Sequence, residues 1–186
     1  LELQDIARIF KYETLEGSPE QFYRDLWIFS YLCNGMNVAD ILRLKYENIK
    51  GDTIEFVRRK TAHNRKNKPI LVEVTPHIKE IVERWGNKPA VPDSYVFNAL
   101  HSGLTASDEL ARIKQVTKQL NKYIKRISKA VGIKEKVTSY SARHSFANVL
   151  KESGENIAYI SEALGHANMK TTENYLKSFG RDRRLK

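Results

Sequence analysis

Apolar residues at Leu110, Ile113, Val116, Leu120, Ile124 and Ile127 recur every three or four positions, laying one stripe along a helix from about Ser107 to Val131. A stripe that long must be covered by other amphipathic elements, and the chain offers them on both sides. In "SPEQ", Ser18 can cap a helix, Pro19 suits its first turn and Gln21 completes a capping box; Phe22, Leu26, Phe29 and Leu32 then carry the period towards Gly35. "VADILRLK" reads as a shorter helix with Val38, Ile41, Leu42 and Lys45 in phase, and "PHIKEIVERWG" as another between Pro76 and Gly86. Three more are expected at about 141–153, 156–164 and 171–178, the first two ended by Gly154 and Gly165. The β signal is confined to "TIEFVRRK", where Ile54 and Phe56 alternate with Glu55 and Val57, and "ILVEV" from Ile70, joined by the polar loop "TAHNRKNKP". The expected fold is mainly α with a small antiparallel sheet or hairpin, forming one domain over residues 1–186.

Charge narrows the partner. Lys and Arg outnumber Asp and Glu by 32 to 22, a net +10, which favours a polyanion such as nucleic acid. Cys33 is the single cysteine, so a disulfide framework and a four-thiolate metal site are excluded. His63 and His101 are scattered in expected loops without the spacing of a metal cage, and neither metal nor cofactor is expected. The longest apolar run, "LWIFSYLC", is far too short for a bilayer and no signal peptide opens the chain. A cytoplasmic, nucleoid-associated protein is expected, with no membrane partner. Because the chain opens on Leu1, it reads as a fragment whose upstream part has been removed.

The stretch "GHANMKTTENY" places His166 nine residues before Tyr175. On one unbroken helix the two would face opposite ways, about 13 Å apart along the axis. Gly165 can close the preceding helix, however, and Thr171 or Thr172 can cap a new one, so a turn can fold Tyr175 back towards His166. The alternative is a helix-terminal surface histidine and an unrelated half-buried aromatic. In "SYSARHSFANVL", Ser141 is an N-cap candidate, Phe146, Val149 and Leu150 form the apolar stripe, and Arg143 lies on its edge. A guanidinium near a core needs an anion; an acidic side chain and a phosphate are both candidates.

These residues carry a family resemblance. "SARHSFANVLKESGENIAYISEALGHANMKTTENYLK" resembles the C-terminal signature of the tyrosine recombinases, the phage-integrase family: an Arg–His pair opening a helix, Leu-Gly-His with its His 23 residues after that Arg, then the tyrosine. "YLCNGMNVADILRLKYENIK" is similar to the family's first box, "VRRKT" to its hairpin lysine, and "LELQDIARIF" to the opening of its catalytic domain. The resemblance implies a tyrosine-recombinase-like catalytic domain of a mobile-element integrase, acting on double-stranded DNA as a homo-oligomer, with the separate DNA-clamping N-terminal domain absent. Tyr175 would attack a phosphodiester to give a 3′-phosphotyrosyl link, Arg143 and His166 would bind the phosphate, and Lys60 would protonate the departing 5′-oxygen. The chemistry is consistent with these roles: a phenol of pKa about 10 needs cationic surroundings or a base, growing phosphate charge needs preplaced donors, and an alkoxide leaves badly without a proton.

Two positions depart from the pattern. Asn37 stands where the family carries a first-box arginine, and Arg43, about 120° around a helix from it, is a poor substitute. Tyr140 stands where the family has His or Lys, and His144 is a further accessory candidate. Arg58, Arg59, Arg65, Lys66 and Lys68 are expected to hold DNA backbone phosphates. The tail "LKSFGRDRRLK" is expected either to dock on a neighbouring subunit, completing a tetramer on DNA, or to be a basic terminus without fixed structure. The departures at Asn37 and Tyr140 support one alternative, a cleavage-defective DNA-binding or architectural relative; a DNA-relaxing topoisomerase using the same tyrosine chemistry is a third reading.

Overall fold

The computed structural model describes residues 1–59, 68–166 and 168–183, with side chains as far as Leu176. Helix α1 (Leu3–Lys11) is followed by α2 (Pro19–Leu32) and α3 (Val38–Arg43). A single 3-10 turn at Tyr46–Asn48 leads into strands β1 (Ile49–Lys50), β2 (Thr53–Phe56) and β3 (Ile70–Glu73). Helices α4 (Pro76–Trp85), α5 (Ala106–Ala130), α6 (Ser141–Glu152), α7 (Ile157–Ala163) and α8 (Met169–Arg183) complete the order. The mainly helical architecture with a small antiparallel sheet is the expected one.

Local chemistry explains most boundaries. Ser18 accepts from the Gln21 amide and Pro19 opens α2, while Thr75 and Thr105 cap α4 and α5. Along α5, Ile113, Leu120, Ile124 and Ile127 are buried as the period requires. Leu110 stays exposed, because the first turns of α5 meet an ion-pair cluster at Glu109 rather than the core. Lys45 falls beyond α3, where it pairs with Asp93.

Helix α2 is the central element, packed against α4, α5 and α6. Its Trp27, Phe29 and Leu26 are wholly buried beside Ile9, Ile41, Leu42, Leu120 and Ile124, and each such side chain contributes about 1.5–3 kcal/mol by leaving water. Trp27 Nε1 also donates to the Thr138 carbonyl at 3.0 Å, tying α2 to the approach of α6. The sheet runs β1-β2-β3, antiparallel throughout, with Ile54 opposite Val72 and Phe56 opposite Ile70. Strand β1 has only two residues, too few for an alternation, so it carries no β signal of its own.

Three local expectations are corrected. The buried face of α6 is Ala142, Arg143, Ser145 and Ala147, with Phe146, Val149 and Leu150 only partly covered, so Arg143 lies inside the buried face rather than on its edge. Ser141 does not cap α6; its hydroxyl accepts from the Thr138 amide and braces the turn before the helix. Helix α8 begins at Met169, earlier than expected, because Asn168 accepts from both the amide and the hydroxyl of Thr171 and so does the capping. A second, smaller apolar cluster of Ala147, Ile160, Leu164 and Leu176 holds α6, α7 and α8 together. Among the described residues, no helix is long and apolar enough to cross a membrane.

Candidate active site

Arg143 is the third residue of α6 and only 2% exposed. Its Nη1 donates to the Gly35 carbonyl at 3.1 Å and its Nη2 to the Leu164 carbonyl, so its partners come from the chain just after α2 and just after α7. Among the described residues no carboxylate lies within salt-bridge distance of it, and its Nε has no hydrogen-bond partner. The internal ion pair that the sequence left open is therefore not what surrounds this guanidinium. Burial, and then the charge of Arg58, pull its pKa down to about 10, which leaves it cationic at neutral pH. A buried cation whose hydrogen bonds go only to backbone carbonyls, with the Asp40 carboxylate acting on it from beyond ion-pair distance, favours an external anion.

The break between α7 and α8 brings the histidine and the tyrosine together. Gly165 takes a left-handed φ of +60°, and the amides of Gly165 and His166 return to the carbonyls of Glu162 and Ser161. His166 then precedes α8 and meets its inner face: Nδ1 lies 2.8 Å from the hydroxyl of buried Thr172, and the ring packs edge-on to Tyr175 at 5.7 Å. Thr172 and Tyr175 share that face because they are three residues apart on one helix. Their spacing in "TTENY" is the signal by which Thr172 was readable and was missed.

The remaining aromatics complete a cluster. His144 stacks on Tyr175 with centroids 4.9 Å apart and planes 7° from parallel, while Tyr140 meets His144 edge-on at 4.5 Å. Tyr140 also meets Tyr175 edge-on, with ring centroids 6.4 Å apart. Burial, followed by Tyr140, pushes the Tyr175 phenol above its ordinary value, whereas Arg143 and Arg58 pull it down. Burial chiefly, with Arg143 adding to it, lowers both His144 and His166 to about 4, so both rings are neutral at physiological pH.

The other expected residues are distributed as follows. Asn37 precedes α3 and its amide donates to Asp40 Oδ2 at 2.6 Å; Asp40, itself buried, also accepts from the Arg59 amide at 3.3 Å. Arg43 and Arg59 both pair with Glu109, at 2.6 and 2.9 Å, so each already has an acidic partner. Arg58 is half-buried beside the cluster, and Lys68 is exposed ahead of β3. Lys60, Arg65 and Lys66 lie outside the described residues, as does His63. Among the described residues no three His, Cys, Asp or Glu side chains gather as a metal-binding group.

A family model described as the phage integrase family matches residues 1–181. The chain is 40% identical over 148 residues to a tyrosine recombinase XerC of Rickettsia canadensis, covering 77% of this chain and 43% of that protein. It is 26% identical to a tyrosine recombinase XerD of Listeria innocua, over 94% of this chain and 56% of the other. Among solved structures, the XerH site-specific recombinase in a pre-cleavage complex with its difH substrate superposes with a TM-score of 0.64 at 21% identity, covering 94% of this chain and 49% of that one. The chain thus spans about half the length of the curated relatives it matches.

Proposed function

Because the chain belongs to the phage integrase family, we propose that it carries the strand-cleaving chemistry of a site-specific DNA recombinase, with Tyr175 as the nucleophile. One observation supports this reading above the others. The buried Arg143 cation, which no carboxylate among the described residues meets in an ion pair, sits against the same cluster as the Tyr175 phenol and the neutral His166.

In this reading a backbone phosphate of double-stranded DNA supplies the anion that Arg143 lacks. Tyr175 Oη gives up its proton to water and forms a bond to phosphorus while the bond to the 5′-oxygen breaks, leaving a 3′-phosphotyrosyl link and a 5′-hydroxyl. Arg143 neutralises charge growing on the nonbridging oxygens. His166, uncharged, donates to the same phosphate from Nε2; this requires that Nδ1 accept from the Thr172 hydroxyl, since a neutral imidazole carries one proton. Lys60 delivers the proton to the leaving oxygen. The phenol's raised pKa keeps it protonated in the free site. Each subunit cuts one strand, so recombination requires four subunits on DNA, with the chain's basic C-terminal residues reaching a neighbour. The basic loop residues Arg65, Lys66 and Lys68 hold the flanking backbone.

The test is covalent capture. The protein is incubated with duplexes nicked near a randomised core, and adducts that survive denaturant are collected and sequenced. An adduct from the wild type that disappears in Tyr175→Phe is the expected result. An adduct retained by Tyr175→Phe, or none from the wild type, would refute the reading; the second outcome would point to a DNA-binding relative without cleavage.

A further inference from the structure

Asn37 leaves the proposed site with one guanidinium where the resemblance implies two. Its own amide is committed to Asp40, and the nearby Arg43 and Arg59 are committed to Glu109. Arg58 is placed differently along the strand. Strand β2 buries Ile54 and Phe56, and the two-residue period places Arg58 in phase with them, beyond the end of the core. Its neighbours Val57 and Arg59 are exposed, whereas Arg58 is half-buried. The stem of Arg58 crosses the turn that carries His166: a methyl group built on Gly165 would lie 3.3 Å from Arg58 Cδ and 2.2 Å from Ile70 Cδ1. Glycine at 165 therefore leaves the space through which this side chain passes. The Asp40 carboxylate holds the backbone one residue further on, at the Arg59 amide, so the position where the arginine is missing helps to fix the strand end that bears Arg58.

We infer that Arg58 is the second guanidinium on the scissile phosphate, entering the site from the end of β2 and taking the part that the residue at position 37 cannot play. Its charge acts on Arg143, His166 and Tyr175 together, in keeping with a stem that passes the Gly165 turn. Arg58 and Arg143 both act on the buried Asp40 carboxylate, and a second guanidinium in that neighbourhood is worth most when the phosphate charge grows in the transition state. Arg58 makes and breaks no bond; it neutralises the oxygens while Tyr175 displaces the 5′-oxygen.

This assignment rests on the recombinase reading, and the experiment separates the two. Using the duplex captured by the wild type, single-turnover adduct formation is measured for wild type, Arg58→Ala, Arg58→Lys and the surface control Lys79→Ala, first on the natural phosphate and then on a methylphosphonate at the scissile position. Arg58→Ala is expected to react about 10²-fold more slowly on the phosphate, the loss typical of one preplaced donor. Arg58→Lys should fall between it and wild type, and Lys79→Ala should match wild type. On the methylphosphonate, which has lost one negative oxygen, most of the Arg58→Ala deficit should vanish. Wild-type rates from Arg58→Ala, or equal slowing on both substrates as a misfolded site would give, overturn the assignment while leaving the recombinase reading standing. Failure of the wild type to form any adduct overturns both.

Discussion

Gly35 packs directly against Arg143, and substituting it with alanine tests the packing that holds that guanidinium. The residue has a φ of +66°, and an added Cβ would lie 2.6 Å from Arg143 Cα, 2.8 Å from its Cγ and 2.9 Å from its Cβ. Backbone cannot swing aside as a side-chain tip can, so α6 must retreat from the end of α2. Left-handed alanine costs about 1–2 kcal/mol, and overpacking of this kind about 1–3 kcal/mol more. Loss of the Arg143 bond to the Gly35 carbonyl adds about 1.5–3 kcal/mol, since the donor is charged. The expected total of about 4–8 kcal/mol is comparable with the whole stability of an ordinary domain. Gly154 supplies the control: its φ is +81°, but a Cβ there meets nothing within 4 Å. Urea unfolding followed by circular dichroism should show Gly154→Ala losing only the backbone part, about 1–2 kcal/mol, and Gly35→Ala losing several times more or failing to fold. Equal losses in the two variants would refute the claim that helix α6 is seated against residue 35.

Three further outcomes are expected. His144 and His166 titrate near 4 in the folded chain against about 6.5 when unfolded, so the unfolded state takes up protons first and stability falls as pH drops through the window from about 6.5 to 4. After allowance for solvent screening of these half-buried rings the joint loss is about 3 kcal/mol, read from urea midpoints across that window; an unchanged slope in His144→Gln would contradict it. Tyr140→Phe removes a neighbouring phenol that raises the Tyr175 pKa, so Tyr175 should ionise at lower pH, visible in a carbon-13 NMR titration of labelled tyrosine; an upward movement would refute the direction. Thr172→Val takes the hydroxyl from His166 Nδ1 and should slow adduct formation about tenfold or more, with the imidazole nitrogen-15 shifts reporting a changed tautomer, whereas Thr172→Ser should restore both; identical shifts in Val and wild type would exclude the proposed proton placement.

Helices and their ends were readable along the chain because the signals are local: Ser18 and Pro19 start α2, and the stripe from Ile113 to Ile127 was recognised without knowledge of what covers it. The His166 to Tyr175 spacing, with Gly165 before it, likewise stated that the two side chains could meet once a turn intervened. The partners of Arg143 were of another kind. They are carbonyls 108 and 21 residues away, and whether a carboxylate or nothing stands beside a buried guanidinium depends on how α2, α6 and α7 come together. Arg58 and Arg59 show the same division at adjacent positions: one charge and one composition in the sequence, yet packing half-buries the first beside the Gly165 turn and hands the second to Glu109 on α5. A backbone's period is written in its neighbours; the counter-charge of a buried ion is set by segments that meet only after the chain has folded.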